Sequence, residues 1–339
     1  MFEIFPRNVT ELLRAEFAPA SSIQTKPDLI HGLPDGLLSL AAPVIAYWIF
    51  STFFHLVDLY ELAEKYRIHP SEEVLSRNTV SQAEVIHDVI VQHIVQTTVG
   101  YVFFLLDPTP MTGFELREMW ELQHRFPSVP AKVIYLVYTY GFSLIKIVCA
   151  FVVIDTWQFF LHRLMHLNKT LYRRFHSRHH KLYVPYAFGA LFNDPVEGFL
   201  LDTLGAGLAG ILMRLTPRET IILFTFSTMK TVDDHCGYAL PYDPFQWLFP
   251  NNSMYHDIHH QHFGIKSNFS QPFFTFWDKF FKTDFKEIDK YRDEQRRITL
   301  EKYHEYLQDR KNRRVKASVK KEKAVYSGSE DEPEDAKTK

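Results

Sequence analysis

Cysteine is nearly absent: the 339 residues hold two, Cys149 and Cys236, and no CxxC pair. A disulfide framework and a thiolate zinc site are thereby excluded. An excess of charge is missing as well. The net formal charge is −2, which does not fit the strongly basic profile of a nucleic-acid binder. No HExxH occurs, so a zincin-type protease is excluded. The amino-terminal stretch has no basic segment leading directly into an apolar one with a small-residue cleavage site, so no cleaved leader is expected. Lys and Arg number three in each of the first three polar segments, and the positive-inside rule therefore does not orient the early helices.

What the chain does contain is long uncharged runs, rich in its thirty Phe and seventeen Tyr. Gly36 to Val57 and Val89 to Leu106 carry no Asp, Glu, Lys or Arg over 22 and 18 residues. Each can cross a hydrocarbon core of about 30 Å as a helix, and the first would act as a signal anchor. Val133 to Ile154 is interrupted by Lys146, which must snorkel or face the bundle interior. Phe199 to Met213 and Thr220 to Met229 are shorter, with Arg214, Pro217, Arg218 and Glu219 between them. A shallow hairpin entering and leaving on one side is expected there, with a soluble core hairpin as the alternative. His93 sits within the second run and is expected to hydrogen-bond inside the bundle.

The predicted fold is all-α: multi-pass membrane helices with a cytosolic helical cap. The expected divisions are an amino-terminal segment 1–35, membrane helices 36–146, a catalytic unit 147–283 and a charged tail 284–339. Residues 282 to 339 contain seventeen Lys plus Arg, which places that end in the cytosol. The closing "SGSEDEPEDAKTK" is too charged to fold alone. Ser327 and Ser329 within it are candidate phosphorylation sites, a solubilising tail being the plainer reading.

Ten of the seventeen histidines fall between 162 and 262. "HRLMH" sets His162 and His166 four apart, "HSRHH" sets His176, His179 and His180 at i, i+3 and i+4, and "HDIHH" repeats that pattern with His256, His259 and His260. On a helix each set is expected to share one face. Imidazole suits iron, zinc and copper, and eight such groups exceed the needs of one tetrahedral ion. Two metals, or one metal and several supporting histidines, follow. Asp155, seven residues before His162, is placed to accept a hydrogen bond from a liganding imidazole or simply to end the third span.

These boxes, HxxxH, HxxHH and HxxHH in order, resemble those of the fatty acid hydroxylase superfamily of integral membrane di-iron enzymes. The resemblance covers about Ile147 to Thr283. "DDHCGYALPYDP" looks like the family's HxGY element, which carries His235 over as a ninth ligand. "HFGIKSNFSQPFFTFWDKFFKTDF" is similar to the family's N-x-S…WD…FGT segment, with Lys282 where glycine is usual. "NDPVEG" has Asp194 where many members have histidine, so Asp194 stays out of the ligand set, while Glu197 is kept as a charged candidate to support a liganding histidine or to serve the structure. His262 fits no box. The full chain, including "IFPRNVTELL", looks most like the sphingoid-base C4-hydroxylases of fungi.

The resemblance implies two iron ions, with zinc as another ion such a site would take, and O2 as cosubstrate. It implies hydroxylation at C4 of dihydrosphingosine or dihydroceramide in the endoplasmic reticulum membrane, a separate cytochrome b5 with its NAD(P)H-dependent reductase as electron donor, and a long-chain lipid as substrate. No fused b5 unit is present, because His69-Pro70 is followed by Ser71-Glu72 rather than by the glycines of a haem loop. The basic stretch between Lys282 and Lys323 is a docking surface or a solvated helix. Trp157, Phe159, Phe160, Tyr183, Tyr186 and Phe188 would wall a lipid channel or form a membrane-boundary belt. The rivals on the same scaffold are sterol C4-methyl oxidation, sterol C5-desaturation and fatty-acid hydroxylation; a membrane metal transporter is the remote one. Asn8-Val9-Thr10 is a usable sequon only on the lumenal side.

Overall fold

The computed structural model describes residues 8–327. Ser329, the acidic stretch from 328 onward and the first residues of "IFPRNVTELL" lie outside them. Seven helices carry the argument: α1 (Asp35–Leu59), α2 (Gln82–Leu106), α3 (Ala131–Leu167), α4 (Pro195–Leu212), α5 (Pro217–Asp234), α6 (Ser253–His260) and α7 (Ile288–Ser327). Among the described residues the strand content is one antiparallel pair, Gln24–Thr25 with Met111–Thr112.

Local sequence sets the helix starts. Ser81 caps α2 by accepting from the Glu84 backbone N–H at 3.2 Å. Asp194 accepts from Val196 N–H at 2.9 Å ahead of Pro195. Thr216 and Glu219 form a capping box at α5, again with proline at the first helical position, where its missing N–H costs no hydrogen bond.

Helices α1, α2, α3 and α4 are each long and apolar enough to cross a membrane. Their outward faces agree: Ile49 is 65% exposed, Leu144 63% and Leu105 62%, a surface that lipid satisfies and water does not. α3 exceeds the expected third span. Its 37 residues rise about 55 Å, with a π-turn at Val137–Gly141, so its final turns continue past a hydrocarbon core of about 30 Å. The first histidine box lies on this continuation.

The hairpin of α4 and α5 does enter and leave on one side, but it is not shallow. Each arm has 18 residues, about 27 Å. Its turn reaches the far end of the bundle, where Arg218 Nε meets Asp35 Oδ2 at 2.7 Å at the start of α1. The capping box and two helix-starting prolines keep both arms helical to full length. Lys146 faces inward and pairs with Glu219 Oε2 at 2.5 Å.

The amino-terminal helix Val9–Leu13 packs with Glu115–Arg125 and the start of α3 around Leu13, Met119 and Ile134. That places it at the end of the bundle opposite the histidines. At the histidine end the core is aromatic: Tyr47, Phe54, Phe188, Phe192 and Tyr238 are buried together, and the Tyr47 hydroxyl donates to Phe188 O at 2.7 Å. α7 runs back over the histidine end, with Tyr291 Oη on Asp257 Oδ2 at 3.2 Å and Thr299 Oγ1 on Ile68 O at 3.4 Å.

Candidate metal centre

His162 and His166 lie one turn apart on α3 and point the same way. The other two boxes depart from the one-face expectation. In the second box His176 ends a π-turn and His179–Lys181 is a 3-10 turn, while the third lies on α6. Two groups result: His162, His166, His176, His180 and His259 in one, and His179, His235, His256 and His260 in the other, the ligand-capable nitrogens of each lying within 4.8 Å of one another. Adjacent residues on a helix are about 100° apart, whereas i and i+4 differ by about 40°. On α6, His256 and His260 therefore stay together while His259 turns to the opposite group; in the second box His176 and His180 share one group and His179 belongs to the other.

The ring tautomers follow from the neighbours. A carbonyl oxygen only accepts, so the imidazole nitrogen facing it carries the proton. Nδ1 of His162 faces Phe269 O at 2.8 Å, that of His179 Phe192 O at 3.0 Å, and that of His235 Thr231 O at 2.8 Å. Nδ1 of His259 faces Ser267 O, and that of His260 faces Leu182 O, both at 2.7 Å. His176 Nδ1 is held by Glu197 Oε1. With one proton each, these rings present bare Nε2 lone pairs inward. His162 and His176 Nε2 are 3.0 Å apart yet have no proton to share, and His259 Nε2 is buried without a partner among the described residues. Lone pairs meeting at such distances need a cation between them, and an all-imidazole set fits iron or zinc.

Burial enforces the same state. Desolvation holds His179 down at about 4 and His235 and His259 at about 3. His176, His180, His256 and His260 lie well below the ordinary histidine value, through burial first and mutual repulsion second. All seven are neutral near pH 7 and ready to ligate.

The contact expected of Asp155 is made by Glu197. Asp155 instead accepts from the backbone N–H of Phe273 and Phe274, at 3.1 and 2.5 Å, because its helix face points at the loop after the third box. Asp194 serves as the helix cap described above. His262 is exposed against the Tyr183 ring. His93 has no hydrogen-bond partner among the described residues and packs edge-on to Tyr47, 5.0 Å between centroids.

Three supports were missed in the sequence. His69 is buried against Asp257 Oδ1 at 3.0 Å and Glu73 Oε2 at 3.2 Å. Burial alone would lower it, but the two carboxylates outweigh burial and lift it to about 9. Since Asp257 lies inside "HDIHH", His69 braces the third box. Asp278 accepts from Phe269 N–H at 3.1 Å, Ser270 N–H at 2.7 Å and Tyr255 Oη at 2.8 Å. It thus shapes the loop whose carbonyls orient His162 and His259, and the "WD" pair was its visible signal. Asn268, at φ +55°, binds Tyr255 O and Phe285 N–H at 2.9 and 2.7 Å. Lys282 stands at φ +56°, the left-handed conformation that glycine adopts freely.

A cavity of about 250 Å³ runs between α1, α2, α4 and α5. Its walls extend from Pro217 to Thr231 on α5, about 21 Å of helix. Gln158, Asp202, Thr231 and Pro272 line both it and the small chamber bordered by His176, His179, His235 and His256. None of the six aromatics expected to wall a channel lines it. Trp157 donates to Leu200 O at 2.8 Å, Phe159 packs on Phe281, and Phe188 and Tyr186 belong to the aromatic core. On α3 the residues facing the cavity are Ile154 and Gln158, one turn apart, so their neighbours point elsewhere.

The fatty acid hydroxylase family matches residues 147–283. The sphingolipid C4-hydroxylase of Saccharomyces cerevisiae is 62% identical over 86% of this chain and 84% of its own length. That of Schizosaccharomyces pombe is 46% identical over 71% and 85%, and sphinganine C4-monooxygenase 1 of Arabidopsis thaliana 45% over 74% and 87%. No solved structure matches the chain. With the histidine boxes gathered into two imidazole clusters beneath an apolar cavity, and with such relatives matched over most of their length, the chain belongs to the fatty acid hydroxylase family.

Proposed function

We propose that this chain is a membrane di-iron monooxygenase that hydroxylates C4 of dihydrosphingosine or dihydroceramide. The observation that carries the reading is an apolar cavity among the spans that shares four wall residues with a chamber of neutral histidines. The names of the relatives support the substrate class.

In this reading His162, His166, His176, His180 and His259 hold one ion, and His179, His235, His256 and His260 the other. When bound, the two ions supply the activation of O2 that no side chain can provide. The chain's own work is positional. Backbone carbonyls keep ring protons on Nδ1, and Glu197 accepts a hydrogen bond from His176 Nδ1–H, which leaves Nε2 basic and correctly turned. The cavity admits the alkyl chain between helices, excludes water from the reacting carbon and stops the lipid where its polar end meets Gln158 and Asp202.

Cytochrome b5 and its reductase are the proposed electron donors. Residence in the endoplasmic reticulum with the histidines on the cytosolic face would put the exposed Asn8, at the opposite end of the bundle, in the lumen; glycosidase sensitivity lost in Asn8→Gln tests that orientation. The activity is tested by mass spectrometry of lipids from membranes containing the protein, supplied with dihydrosphingosine, reductant and ¹⁸O2. A singly labelled trihydroxy base, lost in His259→Ala, is expected. Product labelled only on sterols or fatty acids would move the reaction to another lipid.

A further inference from the structure

The neck where the cavity meets the histidine chamber carries a carboxylate, Asp202, that has no Lys or Arg partner among the described residues. Asp202 Oδ1 accepts from Gln158 Nε2 at 3.1 Å and Oδ2 from Asn193 Nδ2 at 3.2 Å. Both donors are neutral amides. The other two carboxylates of the chamber are committed, Glu197 to His176 and Asp234 to Lys230. Neither the cavity nor the chamber is lined by any Lys or Arg among the described residues. Beside Asp202, Thr203 Oγ1 is buried without a partner among the described residues and also lines the cavity.

A carboxylate removed from water is costly unless charge or several donors compensate it. Two amide donors leave lone pairs on both oxygens free toward the cavity. The ligand that completes such a site brings N–H and O–H donors and carries no negative charge. A fatty-acid carboxylate would bring acceptors where donors are wanted, and a sterol offers a single hydroxyl.

Resting on the sphingolipid reading, we propose that Asp202 is the specificity-determining residue: its carboxylate accepts hydrogen bonds from the vicinal amino alcohol of the sphingoid head. C4 is bonded to the carbon bearing the 3-hydroxyl. Anchoring that hydroxyl and the neighbouring nitrogen at the neck holds C4 beside the histidines, with the alkyl chain running back into the cavity. Gln158 and Asn193 are positioning residues that aim the carboxylate.

The test compares the purified full-length enzyme with Asp202→Asn on two substrates, dihydrosphingosine and its analogue lacking the 3-hydroxyl, with metal content and equilibrium binding of each lipid measured alongside. Asn keeps the shape and removes the charge. The expected result is normal metal content and a loss of about 10- to 100-fold in kcat/KM and binding for dihydrosphingosine, as for a hydrogen bond to a charged group. The loss for the analogue, already poor with wild type, should be much smaller. Asp202→Glu, which retains the acceptor, should recover part of the parent activity. Equal losses on both lipids, or a kcat/KM for dihydrosphingosine matching wild type, would overturn the assignment while leaving the activity intact. Absence of wild-type turnover on both dihydrosphingosine and dihydroceramide would overturn the sphingolipid reading and the assignment together.

Discussion

Replacing Gly210 with Leu should convert the enzyme to shorter lipids. Gly210 lines the cavity, and a Cβ built there meets nothing within 4 Å. It lies eight residues beyond Asp202 in the same helix, about 12 Å along the axis, so the added side chain occupies the deep half of the cavity and leaves the neck untouched. A leucine side chain displaces three to four methylenes of a bound chain. At about 0.8 kcal/mol for each methylene removed from apolar surroundings, the penalty is about 3 kcal/mol, or on the order of 10² in kcat/KM. A base shortened by four methylenes escapes the penalty. Helix stability runs the other way, because Gly→Leu in a helix interior gains about 0.8 kcal/mol, so unfolding does not account for the loss. The assay is a competition between long and shortened dihydrosphingosines, with product ratios read by mass spectrometry. An unchanged ratio with unchanged total activity would refute the cavity as the chain-binding site.

Other consequences are equally direct. Glu197→Gln weakens the acceptor on His176 Nδ1 and should lower metal affinity or activity by about 10- to 100-fold, read by metal analysis and turnover; wild-type values for both would remove Glu197 from the site. His259→Ala should lose metal and activity, whereas His262→Ala, exposed on the surface, should lose neither. In metal-depleted protein the seven histidines with depressed values bind protons in the unfolded chain before the folded one. Stability should therefore fall as pH drops from about 6.5 toward the values of about 3 to 4 held by His179, His235 and His259. By linkage each of these three costs about 2 kcal/mol near pH 5, and denaturant unfolding that is flat between pH 7 and pH 5 would contradict it. Lys282→Gly relieves a left-handed residue and should stabilise the fold by about 1 kcal/mol, visible as a raised Tm.

The spans were legible because a membrane crossing is a one-dimensional property: twenty or so residues without charge are written consecutively. Lys146 and the Arg214–Glu219 turn obscured the rest. The turn looked like a barrier to depth, yet Arg218 is neutralised by Asp35, distant in sequence, and Lys146 by Glu219. The histidine boxes were legible for a related reason, since each ligand pair recurs at one helical turn. Asp202 gave no such signal, being one acidic residue in an apolar run.

The sequence by itself determined which histidines gather and which segments are apolar enough to lie in lipid. Only the tertiary structure decided how the nine divide into five and four, because a local pattern does not say which way a 3-10 turn faces its neighbours. It also decided that Glu197 rather than Asp155 touches an imidazole, that His69 and Asp278 hold the third box and its loop, and that the apolar cavity runs along Ile154 and Gln158 rather than the aromatic face. Each of these is a contact between residues far apart in the chain, set by how α3, α4 and α5 pack around one another.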